Sequence, residues 1–297
     1  MPSTAVPTWS DSLTDRIAAG DFVLFIGSGV SANARNSQDS APPTWRALLE
    51  GLVNEFTVER SSARADVNRL LKSGDFLGAA ERISLQCAET SRLSDFRRRI
   101  VDLCDGPHPD RYMGGDVHNR IGDLNPPIIV TTNYDRILER HFPSGYAIKQ
   151  YTDTDIAGLV RTGQPVLLKL HGTFDGPEKT ILTRTDFVKL RRDGVHALQT
   201  LEALLLTRTA LFLGYSLDDP DLQLILENLF GVPQQGAGHY LLGSDKMPAS
   251  RRQLLNDIYG VSVVMYGGPP ADGVLRSLES LVDGVERNRL ARSEMLR

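Results

Sequence analysis

Short runs of almost unbroken apolar, β-forming residues constrain the fold of this chain more than any other feature of its sequence. The first is Asp21 to Ile26; the others are Pro127 to Thr131, Pro165 to Leu170, Thr209 to Leu213, Gly238 to Leu242 and Val261 to Met265. A strand with one wet face alternates apolar and polar side chains, whereas continuous runs belong to strands covered on both faces. Between the runs lie helix-like segments, namely Thr44 to Phe56, Asp75 to Glu89, Asn133 to His141, Gly194 to Arg208, Pro220 to Phe230, Pro248 to Tyr259 and Gly273 to Val285. Strands and helices in alternation predict an α/β, Rossmann-like, doubly wound parallel sheet of about six strands. The stretch from about residue 60 to 123 carries helical patterns and no good strand, which predicts a helical insertion or small lobe within a single domain over 1–297.

The 297 residues, 41% hydrophobic and 24% charged, suffice for a full core and exclude a disordered chain. A formal net charge of −4 supplies no overall pull toward nucleic acid or an anionic membrane surface, so direct nucleic-acid binding is not expected. No apolar run approaches the roughly 20 residues of a membrane span, and Met1 to Pro7 lacks the pattern of a secretory signal, so the expected location is cytoplasmic. Cys87 and Cys104 are too few for a four-ligand zinc site or a disulfide framework and read as reduced packing residues.

Ligands of open α/β sheets sit beyond the carboxyl ends of the strands, which draws attention to the residues just after each run. Gly27-Ser28-Gly29-Val30-Ser31 leaves the first run as a turn able to approach a phosphate, although Gly-X-Gly also serves backbone needs alone. Thr131-Thr132-Asn133-Tyr134-Asp135 closes the second and reads equally well as helix capping. Lys169-Leu170-His171-Gly172 brings a histidine out of a buried strand, as a general base or as a structural imidazole. Gly214-Tyr215-Ser216 could contact a ribose or phosphate, while Asp219-Pro220 reads as a helix start. In Pro43-Thr44-Trp45-Arg46, Thr44 is the expected N-cap and Trp45 a core-facing residue.

In order and spacing these stretches resemble the Sir2 (sirtuin) superfamily, whose core shows Gly-Ala-Gly-Ile-Ser, a Pro-Asp-Phe-Arg loop, Thr-Gln-Asn-Ile-Asp, His-Gly and Gly-Thr-Ser. The resemblance spans about residues 20 to 270. The absence of paired Cys-x-x-Cys, together with Ser28, Trp45, Thr132, Tyr134, Lys169-Leu170 and Gly214-Tyr215-Ser216-Leu217, looks like the zinc-ribbon-less branch found in bacterial anti-phage defence. That branch cleaves NAD+ itself. The resemblance implies Asn133 and His171 as the catalytic pair. It places Gly27, Ser28, Gly29, Val30 and Ser31 on the pyrophosphate, Gly214 and Ser216 near the adenosine ribose and Trp45 by the nicotinamide, with Arg46 and Tyr215 also among the binding residues. Thr132 and Asp135 belong to the same binding set.

The activity so implied is an NAD+ glycohydrolase that yields nicotinamide and ADP-ribose, with NAD+ as substrate and no metal. A non-hydrolytic sensor of NAD+ or an ADP-ribose-type signal, or an NAD+-dependent deacylase or ADP-ribosyltransferase, are the competing readings. Because the resemblance occupies nearly all 297 residues, control is expected from a homo-oligomer or a co-encoded partner of the HerA-like ATPase or short Argonaute type. Arg92, Arg97, Arg98 and Arg99, and the tail Glu286 to Arg297, are candidate contact surfaces, with a solvated helix face as the plainer account of the arginines.

Overall fold

The computed structural model describes residues 7–57, 61–142, 144–229 and 238–295. Met1 to Val6, position 60 at the start of the expected insertion, Phe230 and the last two residues of the tail lie outside the described residues. The strands are β1 (Phe22–Ile26), β2 (Ile128–Thr131), β3 (Ala147–Gln150), β4 (Val166–Lys169), β5 (Thr209–Leu213), β6 (His239–Ser244) and β7 (Val261–Tyr266). They form one parallel sheet in the order β3-β4-β2-β1-β5-β6-β7. The sheet is therefore seven-stranded, not six-stranded. The strand that the apolar runs do not reveal, β3, is an edge strand with Ile148 exposed and Lys149 and Gln150 half-buried, so it never forms such a run.

The helices in chain order begin with α1 (Asp11–Ala18), α2 (Ser28–Ser31), α3 (Trp45–Phe56), α4 (Ser62–Ser73), α5 (Phe76–Glu89), α6 (Leu93–Asp105) and α7 (Asp116–Asp123). They continue with α8 (Ile137–His141), α9 (Ile156–Arg161), α10 (Arg184–Asp193), α11 (Val195–Thr207), α12 (Pro220–Leu229), α13 (Ala249–Tyr259) and α14 (Pro270–Met295). Strand pleating divides them. Val23 and Phe25 of β1 point to a core closed by α9 to α13, while Phe22, Leu24 and Ile26 point to one closed by α1, α2, α7, α8 and α14. A third cluster joins α3, α4, α5 and α6 around Leu49, Leu52, Ile83, Phe96 and Ile100 and includes Tyr134 and Leu182, while α7 packs with α1 and α14. Thr44 caps α3 as expected, accepting from the Ala47 amide at 3.3 Å. The helix expected from Asn133 starts only at Ile137, and the one expected from Gly273 to Val285 extends over Pro270–Met295. None of the described helices is long and apolar enough to cross a membrane.

The chain leaves β1 toward β2 on one side of the sheet and later returns to place β5 on its other side. The order of strands thus reverses at β1, and a crevice opens there beyond the strand ends.

Two buried histidines in this scaffold make stability pH-dependent. His118 and His239 are sealed from solvent, and burial lowers each from 6.5 to about 4, with His141 adding to the effect at His118. Each Nδ1 accepts a backbone amide, from Gly115 and from Ala210 respectively, so both rings fold in the neutral form. The unfolded chain binds these protons near pH 6.5 and the folded one near 4, so stability is full above 6.5 and declines as pH falls through that window. The expected loss is about 3 kcal/mol per histidine. Chemical denaturation at pH 7.5 and 4.5 measures it, and His239→Gln should flatten the slope.

Candidate active site

Register places the ends of four strands at one level: Ile26 of β1 pairs with Thr131 of β2 and Leu213 of β5, and Thr131 pairs with Lys169 of β4. The loops after these strands floor a cleft of about 580 Å³, within the usual range for a ligand site. Pro42, Pro43, Trp45 and Leu48, from the segment that opens α3, and Phe76 of α5 add apolar lining above them. Of the residues selected from the sequence, Gly27, Ser28, Ser31, Trp45, Thr132, Asn133, Asp135, His171, Gly214, Tyr215 and Ser216 line this cleft. Three do not. Val30 is buried in the core beneath the sheet, Gly29 packs on Gly214, and Arg46 is held in the lobe by Leu71 O, Glu50 and the Phe76 ring.

The glycines are needed where two turns cross. A Cβ on Gly27 would stand 2.3 Å from Gly214 O, and Gly214 itself takes a φ of +59° that disfavours any side chain. The amides of Gly27 and Gly29 donate to Leu213 O and Gly214 O, each at 3.0 Å. Those two amides therefore knit β1 to β5, and Ser28 and Ser31 of the same turn line the cleft.

Asn133 lies in the loop before α8 and is not a helix cap. Its Nδ2 donates to Ser31 Oγ at 2.9 Å, and the Ser31 hydroxyl donates onward to Asp135 Oδ2 at 2.9 Å. Since a carboxylate only accepts, this relay fixes which way the Asn133 amide points: the nitrogen is held and the carbonyl oxygen is left for a ligand. Asp135 Oδ1 also accepts from the Ile137 amide at 3.0 Å. Burial pushes the Asp135 carboxyl up, and the Lys169 ammonium opposes the rise. Lys169, buried at the end of β4, donates to Asp135 O and pairs with Glu139 at 2.8 Å, which ties this loop to the neighbouring strand.

His171 leaves β4 and is 7% exposed. Its Nε2 stands 2.8 Å from Asp219 Oδ2, an ion-pair distance without the alignment of a full hydrogen bond. The Phe187 ring packs edge-on against the imidazole at 5.2 Å. Burial works against ionisation of Asp219, yet His171 and the Leu222 and Asp221 amides outweigh it and hold the carboxyl below its usual range. Tyr215 reaches Thr132, and Tyr134 donates to Ile181 O at 2.6 Å. Tyr134, Phe187 and Asp219 line the cleft although sequence reasoning gave them no site role. The available signal for Asp219 was a second acid in the loop after β5, which was read as a helix start alone.

Cys87 and Cys104 sit in different helices of the lobe, and burial raises both thiols, Cys87 to about 11. Among the described residues no group of three or more His, Cys, Asp or Glu is placed to hold a metal ion.

The family model of the SIR2-like domain matches residues 127–264, from the start of β2 into β7. A protein of Enterococcus faecium named NAD(+) hydrolase ThsA is 37% identical over 130 residues, which cover 42% of this chain and 27% of that protein. A protein of the same name from Cytobacillus dafuensis is 31% identical over 73% of this chain and 40% of its own length. Defense-associated sirtuin 2 of Bacillus subtilis is 24% identical over 82% of this chain and 23% of its own. The chain thus spans less than half the length of these curated relatives.

Proposed function

The chain carries a SIR2-like domain, and from that premise we propose that it hydrolyses NAD+ to nicotinamide and ADP-ribose in the cleft beyond β1, β2, β4 and β5. The observation that carries this reading is the meeting of Asn133 and His171, from two different strand ends, at one cleft with Ser31 and Asp135 fixing the asparagine. Pure binding requires neither an oriented carbonyl nor a histidine.

Cleavage of the bond between ribose C1′ and the nicotinamide nitrogen sends the bonding pair to the ring, which leaves as neutral nicotinamide. No general acid is required. Positive charge develops on the ribose, as in glycoside hydrolysis, and the buried Asp135 carboxylate lies on the lining where it can offset it. Asn133 Oδ1 accepts one proton of a water molecule and holds its oxygen toward C1′. As the new C1′–O bond forms, His171 takes the proton that the water must lose. Trp45 and Phe76 of the lining give the leaving ring an apolar wall that keeps bulk water out.

The names of the relatives support NAD+ hydrolysis in a defence role, and the family resemblance points to phage infection as the occasion on which NAD+ is depleted. An enzyme of this kind must be held off until a trigger arrives, and we assign that control to self-assembly or to a co-encoded partner. The test of hydrolysis is the product ratio. Purified protein incubated with NAD+, alone and with its genomic neighbour, is expected to release free ADP-ribose and nicotinamide one for one. Nicotinamide without matching free ADP-ribose would indicate transfer to an acceptor, and intact NAD+ despite measurable binding would indicate a sensor.

A further inference from the structure

We propose that Asp219 is the positioning residue of this site: it sets the tautomer of His171 so that Nδ1 is the nitrogen that receives the proton. The proposal rests on the NAD+ hydrolase reading for its kinetic consequence, but not for its structural one.

A carboxylate close to one nitrogen of an imidazole keeps the proton on that nitrogen, because the carboxylate can only accept. Asp219 Oδ2 stands 2.8 Å from His171 Nε2, and the two side chains are 6% and 9% exposed, so water competes little for either. In the neutral ring the proton then sits on Nε2 and the lone pair on Nδ1. A histidine with the opposite tautomer would turn a donor toward the cleft and could not serve as a base.

The carboxylate is itself held. Its Oδ1 accepts the amides of Asp221 and Leu222 at 3.0 Å each, at the start of α12, which leaves Oδ2 for the histidine. Neither Asp219 Oδ2 nor His171 Nε2 has any other partner. The loop that delivers Asp219 is shaped at a conformational cost, since Leu217, fully buried, adopts a φ of +57°. Gln223 Nε2 donates to Leu217 O at 2.7 Å and pins that turn. The Phe187 ring packs against the same imidazole at 5.2 Å.

Asp219→Asn separates this role from helix capping. The asparagine keeps an oxygen for the Asp221 and Leu222 amides but presents an NH2 to Nε2, which favours the wrong tautomer. With NAD+ as the probe, kcat is expected to fall about 10²-fold or more, with KM changed less than about threefold. Nitrogen-15 spectra of the full chain labelled in its six histidines, with His171→Ala for assignment, are expected to show His171 as the Nε2–H tautomer at pH 8. In Asp219→Asn that signature should be lost. A kcat within threefold of wild type in a folded Asp219→Asn overturns the proposal. So does a wild-type His171 found as the Nδ1–H tautomer, a result that needs no variant. A chain inert toward NAD+ counts against hydrolysis alone, and the spectra then decide the role of Asp219.

Discussion

Asn133→Ala is expected to lower NAD+ turnover by about 10²- to 10⁴-fold while the protein stays folded and still binds NAD+. The relay at the end of β2 is the reason. Ser31 donates to Asp135 and accepts from Asn133, so the Asn133 carbonyl is aimed before substrate arrives. Removing the amide deletes the acceptor proposed to orient water and leaves Ser31 with its bond to Asp135. The stability cost is that of one partly replaceable hydrogen bond, about 1 kcal/mol. Ser31→Ala, which keeps Asn133 but frees its side chain to turn, should fall between the variant and wild type. Initial rates and NAD+ titrations on the three proteins check both statements.

Arg97→Leu is expected to destabilise the chain by about 3–5 kcal/mol, lowering the melting temperature by about 10 °C. Arg97 is not part of a solvated arginine face: it is buried, unlike its exposed neighbours Arg98 and Arg99. Its Nη2 donates to both oxygens of Asp186, at 2.7 and 2.9 Å, and its Nη1 donates to Thr180 O at 2.7 Å. The pair fastens α6 of the lobe to the start of α10. Against the penalty of burial, Arg97 and its hydrogen bonds hold the Asp186 carboxyl below its usual range. This stabilisation is therefore present at neutral pH and lost as acid protonates Asp186. Truncating the arginine leaves a carboxylate buried at 2% exposure with only the half-exposed Lys189 ammonium, 3.2 Å away, as counter-charge, which costs more than the intact Arg97 pair contributes. Arg97→Leu combined with Asp186→Asn should recover part of the loss. Calorimetry or denaturant titration of the single and double variants measures the coupling.

The sheet was legible because five of its strands are apolar along both faces, and β7 because its run Val261 to Met265 is rich in β-formers. Edge strand β3 was not, since Ile148 is exposed and Lys149 reaches Asp155 at 2.7 Å. The site was legible as a set of strand ends. Asn133 and His171 stood out as polar residues directly after buried runs, and the structure brings them to one cleft. What side chains do with a second atom stayed hidden. Asp219 caps α12 through Oδ1, the role its sequence context signals, while its Oδ2 faces a histidine 48 positions away through a loop no local pattern specifies. Likewise the glycine pattern suits either a phosphate turn or a backbone need alone, and it does not disclose that two of its amides bind the neighbouring strand end. Arg97 differs from Arg98 and Arg99 only in helical phase, which a run of arginines obscures.

The central claim is that NAD+ is cleaved in this cleft by this chain, and the most direct measurement is quantification of nicotinamide released from NAD+ by wild type and His171→Ala under identical conditions. Steady release of nicotinamide is predicted for the wild-type protein, and release by His171→Ala reduced at least about 10²-fold. Equal release by the two proteins would contradict the claim.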